Sequence, residues 1–304
     1  MSWVLADGML ADVLLKGAGG AAFSLVNSGT WRWWHYPAWL SVILLGFEIM
    51  AALVHVLGRA SRTASIRPRG KHLDEFEPLD RMFVAFNRCC TAVFTYHAIQ
   101  YLWYGPWGGR VGWDISELGL SNGLGAFVAL YVVYDLFYTV FHRVLHLRGL
   151  YKHVHKHHHR QKAPSRGNAD AVNVHPFEFI CGEYNHLLAL HLVSRFVVPV
   201  HVVAAGAFII AGGFLASLNH TRFDVRIPFL YEVRYHDIHH WFPDCNYGQY
   251  TMLWDWLMGS LKPYPVEVGK DGSEENGGSR SKGIQANVAA LADSAAAENK
   301  EKTG

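Results

Sequence analysis

Apolar residues in this chain are gathered into blocks of about 20, the length that carries a helix across hydrocarbon, rather than spaced at the interval of an amphipathic soluble helix. The first block, WHYPAWLSVILLGFEIMAALVHVLG, runs from about Trp34 to Gly58 and holds one carboxylate, Glu48. A carboxylate is costly in lipid, so Glu48 is expected to face other helices. The second, RMFVAFNRCCTAVFTYHAIQYLWY, runs from about Arg81 to Tyr104 and ends in the Trp and Tyr of an interfacial belt, although Asn87 and Arg88 make it partly polar. The third runs from about Leu124 to His146 and carries Asp135. From Phe177 to Ser217 an apolar stretch of about 41 residues, broken by Pro199, has room for two helices at about 1.5 Å per residue. Its first half holds Glu178, Glu183, Asn185, His186, His191 and Arg195, which suits a helix packed inside protein. The pattern predicts an all-α, multi-span helical membrane domain with about four transmembrane helices.

Charge assigns the loops. Arg59, Arg62, Arg67, Arg69 and Lys71 follow the first block, and Arg148, Lys152, Lys156, Arg160, Lys162 and Arg166 follow the third. The positive-inside rule puts both loops in the cytosol, with the Gly-rich connection GPWGGRVGWDISELGLSNG on the opposite side. RYHDIHHWFPDCNYGQYTMLWDWLMGS is compact and aromatic, a cytosolic histidine-rich helical cap, and after Pro265 the composition turns to Gly, Ser, Glu, Lys and Ala without periodicity, as in a disordered tail. The N-terminus has no basic region and is interrupted by Asp7 and Asp12, so it reads poorly as a cleaved signal peptide. The expected divisions are 1–33, an N-terminal segment; 34–121, a first transmembrane hairpin with its loops; 122–264, the histidine-bearing domain; and 265–304, a cytosolic tail.

A net charge of +2 gives no support to nucleic-acid binding. The four cysteines, Cys89, Cys90, Cys181 and Cys245, lack CxxC spacing, so neither a zinc ribbon nor a disulfide framework is indicated. The chemistry lies in the 19 histidines. HRVLH places His142 and His146 at i and i+4, on one face at the cytosolic end of the third span. HKHHH offers His155, His158 and His159 at i, i+3 and i+4, and HDIHH repeats the pattern with His236, His239 and His240. Each triplet is expected to share one helical face, with His153 and His157 turned away beside Lys152, Lys156 and Arg160 toward the cap or lipid headgroups. Eight imidazoles exceed the needs of one ion, which implies two. Spacing leaves iron, zinc, copper and nickel all open.

The succession HxxxH, HxxHH, HxxHH, followed by NYGQYTMLWDWLMGS, resembles the fatty acid hydroxylase and sterol desaturase superfamily of membrane non-haem di-iron oxygenases. The resemblance extends over roughly Phe83 to Tyr264 and includes NVHPFEF and NHTRFDVRIP. It implies a four-helix membrane domain under a cytosolic cap, two Fe ions, O2 as co-substrate, and electrons from cytochrome b5 and its reductase or a similar donor. It implies His142, His146, His155, His158, His159, His236, His239 and His240 as ligands, with His220 as a ninth. Asp224 stands where fatty acyl 2-hydroxylases of the family carry a further histidine, and HTRFD leans toward the sterol-acting members without their SG. The expected activity is hydroxylation, desaturation or epoxidation of a lipid, a sterol or sterol precursor, at the endoplasmic reticulum membrane, where Lys300 and Lys302 of KEKTG resemble a dilysine retrieval signal. A fatty acyl or sphingolipid hydroxylase is the alternative on the same scaffold, and a membrane metal carrier the alternative of another class. Oxidising an unactivated C–H bond with O2 needs a redox metal, which zinc is not.

Carboxylates are expected to orient the outer N–H groups of the ligands, and Asp135, Asp237, Asp244 and Asp255 are the candidates, with surface or capping roles the plainer alternative for each. His175 is read as a cap for the helix after Pro176, His186, His191 and His201 as packing residues, and Trp241, Tyr247 and Trp254 as cap core.

Overall fold

The computed structural model describes residues 24–264, except 62, 64, 69–72, 74, 228 and 229, together with 267–268 and 274–275. Five long helices form the main body: α1 (His35–Ala60), α2 (Pro78–Tyr104), α3 (Ala126–Leu145, preceded by a π turn at Ser121–Gly125), α4 (Pro176–Leu192) and α5 (Val202–Asn219). Two shorter ones, α6 (Val233–Trp241) and α7 (Leu253–Leu257), follow. α4 packs against both α2 and α3, α1 against α2 and α5, and α5 against α3 and α6. The core between them is aromatic and small-residue in character: Tyr131, Tyr134, Leu130, Ala189, Leu190, Ala205 and Phe208 are buried together.

Three helices are long and apolar enough to cross a membrane: His35–Ala60, Ser121–Leu145 and Val202–Asn219, counted among the described residues. On α1 only Phe47, Val54 and Gly58 are buried, and Val42, Leu45, Ile49, Leu53 and Val56 face outward, the pattern of a helix solvated by hydrocarbon. α2 is long enough to span but is not among the three, because its N-terminal half is polar for internal reasons. Glu77 and Asp80 close a capping box around Pro78, and buried Asn87 donates to the carbonyls of Val172 and Val174. The helix ends at Gly105, whose φ of 52° only glycine adopts freely.

The break expected at Pro199 is a π turn, Val193–Val197, followed by the short strand β2 (Val200–His201). β2 pairs in parallel with β1 (Val111–Gly112), tying the loop after α2 to the α4–α5 turn at one end of the bundle. The other end collects the C-termini of α1, α3 and α5 and the N-termini of α2 and α4. There the chain adds the His155–His159 segment, the ribbon β3–β4 (Arg226–Ile227 with Tyr231–Glu232), α6 and α7. From Lys262 the chain forms a separate unit, whose described residues are 262–264 and the antiparallel pair Glu267–Val268 and Glu274–Glu275. The rest of the expected tail, with Lys300 and Lys302, and the first 23 residues lie outside the described residues.

Candidate metal centre

All nine histidines singled out in the sequence meet at this end, in two groups. His142, His146, His155, His159 and His239 form one, and His158, His220, His236 and His240 the other, with the potential ligand atoms of each group within 4.8 Å of one another. All are buried except half-buried His146.

Neither triplet serves a single pocket, contrary to the one-face expectation. In each HxxHH box the i and i+4 imidazoles enter one pocket and the i+3 imidazole enters the other. His155 and His159 join the five-histidine group while His158 crosses to the four. His236 and His240 belong to the four while His239 crosses to the five. On a helix, i+3 and i+4 are about 100° apart, enough for neighbours in sequence to address different pockets. α6 is a regular helix, whereas the 151–160 segment is a π turn (Tyr151–His155) and a 3-10 turn (His158–Arg160).

Five of the nine outer nitrogens are fixed by acceptors, while Nδ1 of His159 and of His236 is buried without a hydrogen-bond partner. Nδ1–H of His142 donates to Tyr247 O (2.8 Å), of His239 to Cys245 O (2.7 Å), of His240 to Gln161 O (2.9 Å) and of His220 to Ala216 O (2.8 Å). His155 Nδ1–H donates to the Glu178 carboxylate at 2.7 Å. In that tautomer each Nε2 is a bare lone pair aimed inward. Yet Nε2 of His155 lies 2.9 Å from Nε2 of both His142 and His159. In the other pocket His236 Nε2 lies 3.1 Å from Nε2 of both His220 and His240, and His158 lies 3.3 Å from His220. The inner nitrogens of His239 and His146 have no hydrogen-bond partner at all. In the His142–His155 pair both Nδ1 atoms are tied to acceptors, so the two Nε2 lone pairs 2.9 Å apart repel unless a cation lies between them. With metal–imidazole bonds of about 2.1 Å, neighbouring ligands at right angles stand about 3.0 Å apart. The donor set therefore fits metal ions.

Burial pushes His158, His159, His236, His239 and His240 well below the ordinary imidazole value, and the adjacent imidazoles push them further. His146 is lowered to about 3 by burial and by His155. All are neutral near pH 7, the form that ligates. Tyr151 stacks on the His146 ring, and Tyr247 and Tyr138 press edge-on against His142.

The candidate carboxylates work differently from expectation. Asp255 accepts from the backbone amides of Tyr247 (2.8 Å) and Gly248 (2.6 Å), and Asp135 from those of Tyr250 (3.1 Å) and Thr251 (2.5 Å). They hold the turn whose carbonyls hold His142 and His239, one step removed from the imidazoles. Asp237 pairs with Arg222, and Asp244 is exposed. The carboxylate that meets a cage imidazole is Glu178, and the signal for it was the acid three residues after His175 in NVHPFEF. Asp224 is engaged by Arg226 and Arg234 and by neither pocket. His157 is turned away from both pockets: its Nε2 lies 2.9 Å from both Asp80 and Asn173, against Phe83. His153 is exposed. His175 and His201 cap α4 and α5 by accepting from the amides of Phe177 and Val203. His186 and His191 sit by Tyr250 and Tyr101 inside the bundle.

Residues 127–260 match the family described as Fatty acid hydroxylase. Over 87 residues the chain is 32% identical to a protein of Arabidopsis thaliana named Putative Delta(7)-sterol-C5(6)-desaturase 2, covering 29% of each chain. Over 74 residues it is 36% identical to the lathosterol oxidase of Mus musculus, covering 23% of this chain and 25% of that one. The chain thus spans less than a third of the length of these relatives. No solved structure matches it. Residues 127–260 are thus similar to the fatty acid hydroxylase family, and shorter stretches of the chain are similar to a sterol desaturase and a sterol oxidase.

Proposed function

We propose that this chain is an integral membrane oxygenase that holds two non-haem iron ions and oxidises a lipid, a sterol or sterol precursor, with O2 and electrons from cytochrome b5 or a similar donor. The observation that carries the reading is the convergence of nine imidazoles, with inward Nε2 atoms 2.9 to 3.3 Å apart, in two adjoining pockets at one end of a membrane bundle. In this reading His142, His146, His155, His159 and His239 hold one ion and His158, His220, His236 and His240 the other. The ions supply O2 activation when bound. The chain's own residues keep the ligands neutral, fix their tautomers and exclude water by burial.

Two further observations bear on the choice among alternatives. Asp224 is occupied by two arginines, which removes it as a ligand and favours a sterol over a fatty acyl substrate, in keeping with the names of the relatives. A metal carrier would need free polar groups through the bundle. Here Glu48 pairs with Arg88 at 2.9 Å, the amide nitrogen of Asn87 and the carboxylate of Asp135 bind backbone groups, and Glu183 accepts from Thr91, so these polar groups are each tied locally rather than arranged as a path. The basic loops support a cytosolic position for the cage, where a donor domain has access, and the endoplasmic reticulum is the membrane this reading expects.

The test is expression in cells blocked at single sterol oxidation steps, with lipid mass spectrometry to distinguish an alcohol, a new double bond or an epoxide. A new oxidised sterol is expected from the native chain. His239→Ala is expected to abolish it while the protein still inserts into membranes. Undiminished product from that variant would overturn the di-iron reading.

A further inference from the structure

We infer that Glu178 is a positioning residue that gives the two metal pockets unequal electronic character, making the ion in the five-histidine pocket harder to reduce than its neighbour. The inference rests on the two-metal reading above. Glu178 is 7% exposed and His155 1%, so the 2.7 Å bond between His155 Nδ1 and Glu178 Oε1 is shielded from water. The second carboxylate oxygen is buried with no hydrogen-bond partner. A first-turn helix acid normally faces the free amides or solvent. This one spends its charge on an imidazole instead.

His155 occupies a central place, since its Nε2 lies 2.9 Å from Nε2 of both His142 and His159. A negative charge behind it pulls the Nδ1 proton outward and makes Nε2 a stronger donor toward a cation. The four-histidine pocket has a different outer shell: His220 and His240 donate to the neutral carbonyls of Ala216 and Gln161. Asp170, which acts electrostatically on His220, is itself satisfied by the amides of Ser165 and Arg166 and by the Arg166 guanidinium. Its charge is largely cancelled where it stands. A more basic ligand stabilises the more highly charged metal, so the ion beside His155 takes the lower midpoint potential and the other is reduced first.

Two variants separate charge from hydrogen bond. Glu178→Gln keeps the shape and an acceptor oxygen but removes the charge. Glu178→Ala removes both. The full chain in detergent is stripped of metal, titrated anaerobically with Fe(II), and then taken through a redox titration. The native chain is expected to bind two ions with two distinct midpoints. Glu178→Gln is expected to keep both ions and to move only the lower midpoint, in the positive direction. Glu178→Ala is expected to bind one ion normally and the other about 10- to 100-fold more weakly. On a His236→Ala background, which deletes a ligand of the four-histidine pocket, the remaining ion is the one expected to respond. Unmoved midpoints in the Gln variant, or equal movement of both, would overturn the role of Glu178 while leaving two metals in place. A native chain that takes up fewer than two ions would overturn the two-metal reading itself, and the inference with it.

Discussion

At the scale of single residues, several of the candidate ligands depend on atoms that lie outside both pockets. His142 and His239 are aimed by the carbonyls of Tyr247 and Cys245, and that turn is held by Asp255, which accepts from the amides of Tyr247 and Gly248 and from the Ser260 hydroxyl. Asp255→Ala would leave two buried amides without acceptors. At roughly 1–3 kcal/mol for each unmet buried group, the fold should lose about 3 kcal/mol, read as a lower thermal unfolding temperature in detergent. Iron per chain should fall with it, because two ligands of the same pocket lose their fixed carbonyls. A folded variant with full iron content would show that the turn does not position the cage. The histidines themselves were legible in the sequence because HxxxH and HxxHH are spacings that a helix face makes meaningful. The work of Asp135 and Asp255 was not. It depends on the reversal at Asn246, a non-glycine residue with φ of 55°, and on a contact across 115 positions. Glu178 was visible within its motif, but an acid in a first helical turn ordinarily serves the helix end, and spacing alone does not distinguish that role from the bond to His155.

At the scale of elements, the apolar blocks located α1, α3 and α5 because an apolar run of that length matches the thickness of hydrocarbon and far exceeds what a soluble core asks of one helix. α2 was placed almost as well, yet its polar residues point into the 168–174 loop and its cap, a role no hydropathy window distinguishes from exposure. The second histidine box departs furthest from expectation. Helical spacing assumed a continuous helix, and the chain instead makes a π turn and a 3-10 turn, so three ligands must be held by something other than helix geometry. That something is the N-terminus of α2. Asp80, 1% exposed, accepts from the Glu77 amide and from Asn173 Nδ2, and pairs with His157 between the ligand histidines and with Arg160 just after them. Asp80→Ala should therefore destabilise by about 3 kcal/mol, in the range for breaking a buried, hydrogen-bonded charge pair. It should also weaken metal binding, although the residue lies outside both pockets. The check is a thermal melt beside an Fe(II) titration of the same variant. Loss of stability with unchanged metal affinity would mean that the clasp supports α2 alone.

At the scale of the whole molecule, gathering nine imidazoles into one buried end links the charge state of the protein to its fold. His158, His159, His236, His239 and His240 are all held well below their ordinary value of about 6.5, and His146 is lowered to about 3, with burial the leading cause in each. These are depressed cationic acids, so the sign follows from proton counting. Above about pH 6.5 neither the folded nor the unfolded chain protonates them, and the contribution to stability is constant. Below it the unfolded chain takes up protons that the folded cage refuses, and stability falls as pH falls toward the folded-state values. With several groups titrating together the slope should be steep. Metal deepens the effect, because a bound ion needs every imidazole bare and its release is coupled to their protonation. In detergent, the unfolding temperature of chelator-treated protein is expected to be nearly level from pH 8 to about 7 and to drop progressively from about 6.5 to 5. Metal-loaded protein should start higher and converge on the stripped curve as the ions leave. Replacing His236 and His240 with similarly sized uncharged residues should flatten the stripped curve in proportion to the groups removed. An unfolding temperature independent of pH between 7 and 5 would contradict the burial of the cage, since neutral imidazoles open to solvent would protonate equally in both states.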